Sequence, residues 1–238
     1  MRKVCLALTG ALVSSFYAGS AQAAILGVGS LAGFEKGGQL IDAPAAVHNE
    51  SGKGGYAASP SDTNPMKGFN EKQNFTLEKA LMLDGKKTIA AGTRISSHMI
   101  FLNQPDQFKS KLVAGATWLF SGNILGVISS ANGSLQTASD YLGAPGTIYP
   151  GSFKARGLES NNPGGSNLLK GDGYRINGNE LSLAMHVTQP GDWIRVITAA
   201  DDTSSAAAVP EPATITGVLV AGAIGARLRK RSNKSSNA

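Results

Sequence analysis

Residues 172–198 read DGYRINGNELSLAMHVTQPGDWIRVIT, and this stretch decides the fold class. Asn177-Gly178 is the dipeptide most favoured at the centre of a type I′ hairpin, where both central residues need positive φ. A turn placed there sets Ile176 opposite Asn179, Arg175 opposite Glu180 and Tyr174 opposite Leu181. That register pairs opposite charges on one face and apolar groups on the other. Further on, Leu181, Leu183, Met185 and Val187 share one face, and Glu180, Ser182, His186 and Thr188 share the other, the period-two pattern of a half-buried strand. Gln189-Pro190-Gly191 then turns the chain into a last strand over 192–198. Trp193, Arg195 and Ile197 lie on one face of it and Ile194 and Val196 on the other.

The same pattern runs upstream. Asp84-Gly85 predicts a hairpin turn. In 94–102, Ile95, Met99 and Phe101 share one face while His98, Ile100 and Leu102 share the other; both faces are apolar, as in an inner strand. KLVAGATWLFSGNILGVIS, 111–129, gives two strands around Ser121-Gly122-Asn123, with Trp118 and Phe120 on one face. Residues 24–72 are rich in Gly, Ala, Ser, Asn and Pro. Within them 25–38 offers one short strand, and 48–72 reads as a long surface loop. No long helical periodicity interrupts this series of short strands and Gly/Pro turns. The expected fold is all-β, an antiparallel, jelly-roll-like β-sandwich.

The ends differ from the body. MRKVCLALTGALVSSFYAGSAQA, 1–23, reads as a secretory signal peptide: Arg2 and Lys3, an apolar stretch from Val4 to Tyr17, and the small-residue site Ala21-Gln22-Ala23. Cleavage falls after Ala23, with Ala24 as the alternative. The net charge of +6 belongs to the two ends. Arg2 and Lys3 at one, and Arg227, Arg229, Lys230, Arg231 and Lys234 at the other, outweigh Glu211, and the charges of 24–209 balance. The basic pI therefore reflects targeting, and the body lacks the electrostatic footprint of a nucleic-acid binder. The single cysteine, Cys5, lies in the leader. The mature chain has no disulfide, thiolate nucleophile or Cys-ligated metal. Its core must supply the stability.

At the C-terminus, Pro210-Glu211-Pro212 precedes an uncharged run, Ala213 to Ala226, and the cluster Arg227, Arg229, Lys230, Arg231. As a short hydrophobic helix that run would span about 21 Å, against a hydrocarbon core of about 30 Å. It is a weak anchor, and the basic cluster sets its orientation toward the cytoplasm. The two prolines hold the preceding backbone extended and readable. This order of motif, apolar run and basic stop resembles the PEP-CTERM sorting signal of exported proteins in exopolysaccharide-producing Gram-negative bacteria, cyanobacteria included. The resemblance implies transient anchoring in the inner membrane and processing near the Pro-Glu-Pro by a membrane-embedded exosortase. The polar extension after the cluster is longer than usual for the family. In the body, SSHMIFLN (96–103), GNILGVISS (122–130), SDYLGAPGTIYP (139–150), RGLE (156–159) and DWIRVIT (192–198) resemble an uncharacterised β-domain that recurs in PEP-CTERM proteins. That likeness implies no chemistry.

The chain thus divides into a signal peptide (1–23), a Gly/Ser/Asn-rich segment (24–72), a β-sandwich domain (73–200), a small-residue linker (201–209), the sorting signal (209–232) and a polar tail (233–238). Chemistry is sparse. There is no G-x-S-x-G, H-E-x-x-H or P-loop, and Gly27 to Gly33 misses the dinucleotide fingerprint by one residue. No catalytic residue, metal ligand or cofactor is assigned. His98 and His186 are strand residues able to meet across a sheet, and His48 lies in the loop; all three are read as structural. Asp172, Asn177, Asn179 and Glu180 are clustered oxygen donors of the kind calcium takes, but turn and hairpin account for them. Asp140, Glu159 and Asp192 are the carboxylates available for glycoside hydrolysis. Trp118, Trp193 and Tyr141 are the aromatics available for sugar stacking, with Arg195 packed beside Trp193. The expected function is that of a non-enzymatic cell-surface or extracellular-matrix protein with a structural or binding role. The alternative is a carbohydrate-active enzyme or glycan-binding module of the exopolysaccharide matrix. Its partners are signal peptidase and the translocon, an exosortase-type enzyme, the membrane and extracellular polysaccharide, with no nucleic acid.

Overall fold

Two long strands are buried on both faces, as their two-sided apolar pattern requires. β7 (Arg94–Asn103) and β12 (Gly191–Ala199) pair antiparallel, with Ile194 opposite Ile100 and Trp193 opposite Phe101. The computed structural model that shows this describes residues 24–47, 65–103, 111–149, 157–158, 167–187 and 191–200. β9 (Ile124–Ile128) flanks β12. β3 (Met66–Asn70) flanks β7, and β2 (Gly38–Leu40) joins β3 in the one parallel pairing among the described strands. A short β4 (Phe75–Thr76) also pairs with β7. The second sheet has the order β1 (Ile25–Ser30), β8 (Leu112–Phe120), β11 (Glu180–Val187), β10 (Gly173–Asn177), all antiparallel. A separate small hairpin pairs β5 (Leu81–Met82) with β6 (Thr88–Ile89). Among the described residues the one α-helix is the single-turn α1 (Ser134–Ala138), so the described body is all-β. No helix among them is long and apolar enough to cross a membrane.

One apolar cluster takes side chains from both sheets. The β8–β11 sheet gives Trp118, Phe120, Leu181, Leu183, Met185 and Val187, and the β7–β12 sheet gives Ile100, Leu102, Ile194 and Val196. The opposite face of the β7–β12 sheet is covered by connecting segments. Phe69, Met99, Phe101 and Trp193 pack with Val47 and Ala144, and Ile95, Ile128 and Ile197 pack with Leu77, Leu81, Leu83 and Leu142. Each large apolar side chain buried in this way contributes roughly 1.5–3 kcal/mol.

Several expectations change. The hairpin turn is Gly178-Asn179, so Asn177 pairs with Glu180, Arg175 with Ser182 and Tyr174 with Leu183. Positive φ occurs at Gly178 (61°) and not at Asn179, the glycine-first pattern of a II′ turn rather than I′. Tertiary bonds select it: Phe120 N donates to Asn179 O at 2.9 Å and Ile124 N to Gly178 O at 3.0 Å. The apolar face of β11 is unaffected, because the turn moves one residue along and the register sum changes by two. The strands β8 and β9 do not pair with each other; the 121–123 turn carries the chain between sheets. The segment before Gln73 is part of the sheets, contributing β1, β2 and β3, so 72/73 is not a structural boundary. Met66–Asn70 in particular is a buried strand and not surface loop. Its Gly68 lies under Trp118, where a Cβ would collide with the indole ring.

Candidate functional site

Beneath α1, on the face of β12 turned away from the second sheet, Arg195 meets Glu71. Arg195 Nε donates to Glu71 Oε2 at 2.7 Å and Nη2 to Oε1 at 2.9 Å, a bidentate pair with both side chains fully buried. Arg195 Nη1 donates to Ser139 Oγ at 2.6 Å and to Ser139 O at 2.8 Å. Glu71 also accepts from Tyr149 Oη at 2.7 Å and Ser97 Oγ at 2.6 Å. The alternation of β12 explains the placement: position 195 shares the loop-covered face with Trp193 and Ile197. Burial alone would lower the Arg195 pKa, but Glu71 outweighs it and holds the guanidinium charged. Burial, then the Glu71 charge, raises the Tyr149 phenol and keeps it a donor. Every strong donor and acceptor of this pair is engaged inside the protein, so it ties segments together rather than presenting chemistry. The tied segments include 96–103, 139–149 and 191–199. The Arg195 guanidinium lies over the Tyr149 ring, 5.7 Å from its centroid.

His98 lies on the inter-sheet face of β7, fully buried. Asn70 Oδ1 accepts from Ile25 N at 3.0 Å, which orients the carboxamide. His98 Nδ1 therefore carries the proton that it shares with Asn70 Oδ1 at 2.9 Å, and Nε2 accepts from Thr198 Oγ1 at 3.1 Å. Burial depresses its pKa to about 3. His186 is on the outer face of the other sheet, where Nε2 donates to Leu168 O at 3.1 Å. The two histidines do not meet, because β7 and β11 belong to different sheets and their rings face different ways.

The accessible candidate is a groove at the open edge between the sheets. It is lined by Asp84, Gly85, Lys87, Gly126, Val127, Tyr174, Arg175 and Ile176, with a volume of about 280 Å³. The β5–β6 turn supplies Asp84 and Lys87, and the edge strand β10 supplies Tyr174 to Ile176. Asp84 Oδ1 accepts from Ser129 N at 3.0 Å, and Oδ2 accepts from Ser129 Oγ at 2.5 Å and Tyr174 Oη at 3.2 Å. Burial, then Asp84, raises the Tyr174 pKa, so the phenol stays protonated and donating. The groove thus offers a fixed carboxylate, two cationic side chains and the apolar Ile176, 40% exposed. The Asp84 carboxylate is already committed to three donors and is poorly placed to move a proton.

Comparison with known families, curated proteins and solved structures finds no match to this chain.

The remaining expected residues fall as follows. Trp118 and Trp193 are fully buried and unavailable for surface stacking. Tyr141 packs on Phe75 at 6.1 Å, with Lys79 Nζ 5.0 Å from its ring centroid. Asp192 is 3% exposed. Asp140 is at the surface, its pKa raised by burial against the lowering pull of Arg195. Asp172 Oδ1 accepts from His186 N at 2.6 Å, and Asn179 Nδ2 donates to Phe120 O at 2.7 Å. Among the described residues no three His, Cys, Asp or Glu side chains converge. Glu159, His48, Ala21, Ala23, Pro210, Glu211, Pro212, Arg227, Arg229, Lys230 and Arg231 lie outside the described residues. Sequence reasoning missed Glu71, Tyr149 and Asp84. Glu71 looked like loop, and nothing in a single sequence tells which acid answers a strand arginine.

Proposed function

We propose that this is an exported cell-surface or extracellular-matrix protein, sorted by a PEP-CTERM-type tail, whose β-domain has a structural or binding role and no catalytic one. The observation that carries the reading is the pair of targeting segments, 1–23 and 209–232, flanking a cysteine-free body of balanced charge. The cluster shared by the two sheets supports a jelly-roll-like sandwich as the exported module. Intact-mass measurement of the protein released by its producing cell is expected to find a species lacking both 1–23 and the basic end. A mature species that keeps both would overturn the reading.

The edge groove favours binding as the role. Its lining of Lys87, Arg175, Asp84 and Ile176 suits a sugar unit bearing an acidic group, held by cations at the rim and an apolar floor. Saturable binding of an acidic polysaccharide without turnover, weakened by Lys87→Ala, is expected. Hydrolysis of the polysaccharide would favour the carbohydrate-active enzyme instead.

A further inference from the structure

The leader reading leaves two cleavage positions open, after Ala23 or after Ala24, and the fold distinguishes them. Ala24 is held at both backbone groups by one residue. Its N donates to Ser121 Oγ at 2.8 Å, and its O accepts from Ser121 N at 3.0 Å. Ile25 is bound differently. Its N donates to Asn70 Oδ1 at 3.0 Å, the oxygen that also accepts from the buried His98 ring at 2.9 Å. Its side chain is in the core, 4% exposed.

Cleavage turns one of these backbone amides into an ammonium, and the two sites differ in what they tolerate. At half-exposed Ala24, Ser121 Oγ takes one N–H and water reaches the others. At Ile25 the charge would sit on a carboxamide already shared with a buried neutral imidazole, beside the core, where an ill-solvated charge is costly. Both bonds to Ser121 would also be lost. They matter because β1 is an edge strand held by β8 alone in its sheet, and its register with β8 is irregular between Ile25 and Gly27. Leu26 is 60% exposed there, so the strand beyond the irregularity depends on its end contacts.

We infer that the leader is removed after Ala23 and that the new α-ammonium of Ala24 is a structural end group, clamped by Ser121 to the β8–β9 turn. The inference rests on reading 1–23 as a cleaved leader. The test is the N-terminal residue of the exported full chain, read by mass and end sequencing, together with the thermal midpoint of an Ala24-deleted chain that is cut at Ala23 and so begins at Ile25. The expected start is Ala24, and the deletion is expected to lower Tm by about 4 °C or more, for two lost hydrogen bonds in a domain of this size. Ser121→Ala, which removes the Oγ acceptor but keeps the Ser121 N–H, is expected to give about half that drop. An exported chain still starting at Met1 would sink the leader reading itself. Processing to Ile25 or to any other residue, or a deletion variant as stable as the parent, would overturn the clamp while leaving export intact.

Discussion

At the scale of single residues, two buried polar groups make opposite use of the same core. His98 is neutral because nothing charged compensates its burial, and its pKa falls from an ordinary 6.5 to about 3. Between those values the unfolded chain binds the extra proton, so stability is fully present above pH 6.5 and declines as pH falls through the window. The loss should reach about 1.4 kcal/mol by pH 5.5. The raised carboxyls of Asp140 and Asp172 act in the opposite sense. Urea midpoints at pH 7.5 and 5.5 should therefore fall steeply for the parent and little for His98→Gln, whatever the variant loses at pH 7.5. Parallel falls would mean that His98 is not the titrating group. Arg195 stays charged because Glu71 meets it in two parallel bonds. Arg195→Met should destabilise by about 3–5 kcal/mol, since the Glu71 carboxylate is then left buried. Glu71→Leu with Arg195→Met should cost less than the two single losses summed, which a double-mutant cycle in urea would measure. An additive result would show that the two side chains are not coupled.

At the scale of the element, β10 and β11 test how far a turn motif can be read. Gly178 has φ 61°, so Gly178→Val places a β-branched residue where it is strained and should cost on the order of 1–3 kcal/mol. Asn177 is the last residue of β10, outside the two central turn positions, and Asn177→Asp should be nearly silent. Equal small changes in the two denaturant midpoints would rule out a tight turn at Gly178. The faces of β7, β11 and β12 were legible because burial on a strand imposes period two, and one side chain in the wrong place would put a charge in the core. The turn type was not, because it depends on where Phe120 and Ile124 hold the hairpin from another part of the chain. β3 was hidden for a related reason. Lys67, Gly68 and Asn70 look like turn residues, yet Gly68 is required by the Trp118 ring packed over it, and Asn70 by the imidazole of His98. The groove was illegible altogether, since Asp84 and Tyr174 are brought together only by the fold, 90 residues apart in sequence.

At the scale of the whole molecule, the question is what stabilises a domain that has no cysteine after residue 5. Small exported domains often use disulfides or metals because their cores are too small. Here the body is longer, and three apolar clusters cover both faces of the β7–β12 sheet. Burial on that scale is enough for an ordinary domain. Of the oxygen donors nearest to a calcium pattern, Asp172 Oδ1 accepts from His186 N, and among the described residues no group of His, Cys, Asp or Glu converges as a metal site. The protein should therefore unfold in one cooperative step, with the same Tm in millimolar calcium, in a chelator and in a reductant. A ligand that binds only the folded state raises stability by RT ln(1 + [L]/Kd). Calcium at a hundred times its Kd would thus contribute about 2.7 kcal/mol, or roughly 5–11 °C in a domain of this size. A shift of that order on adding the chelator would restore a metal site around Asp172, and Asp172→Asn should then abolish the shift.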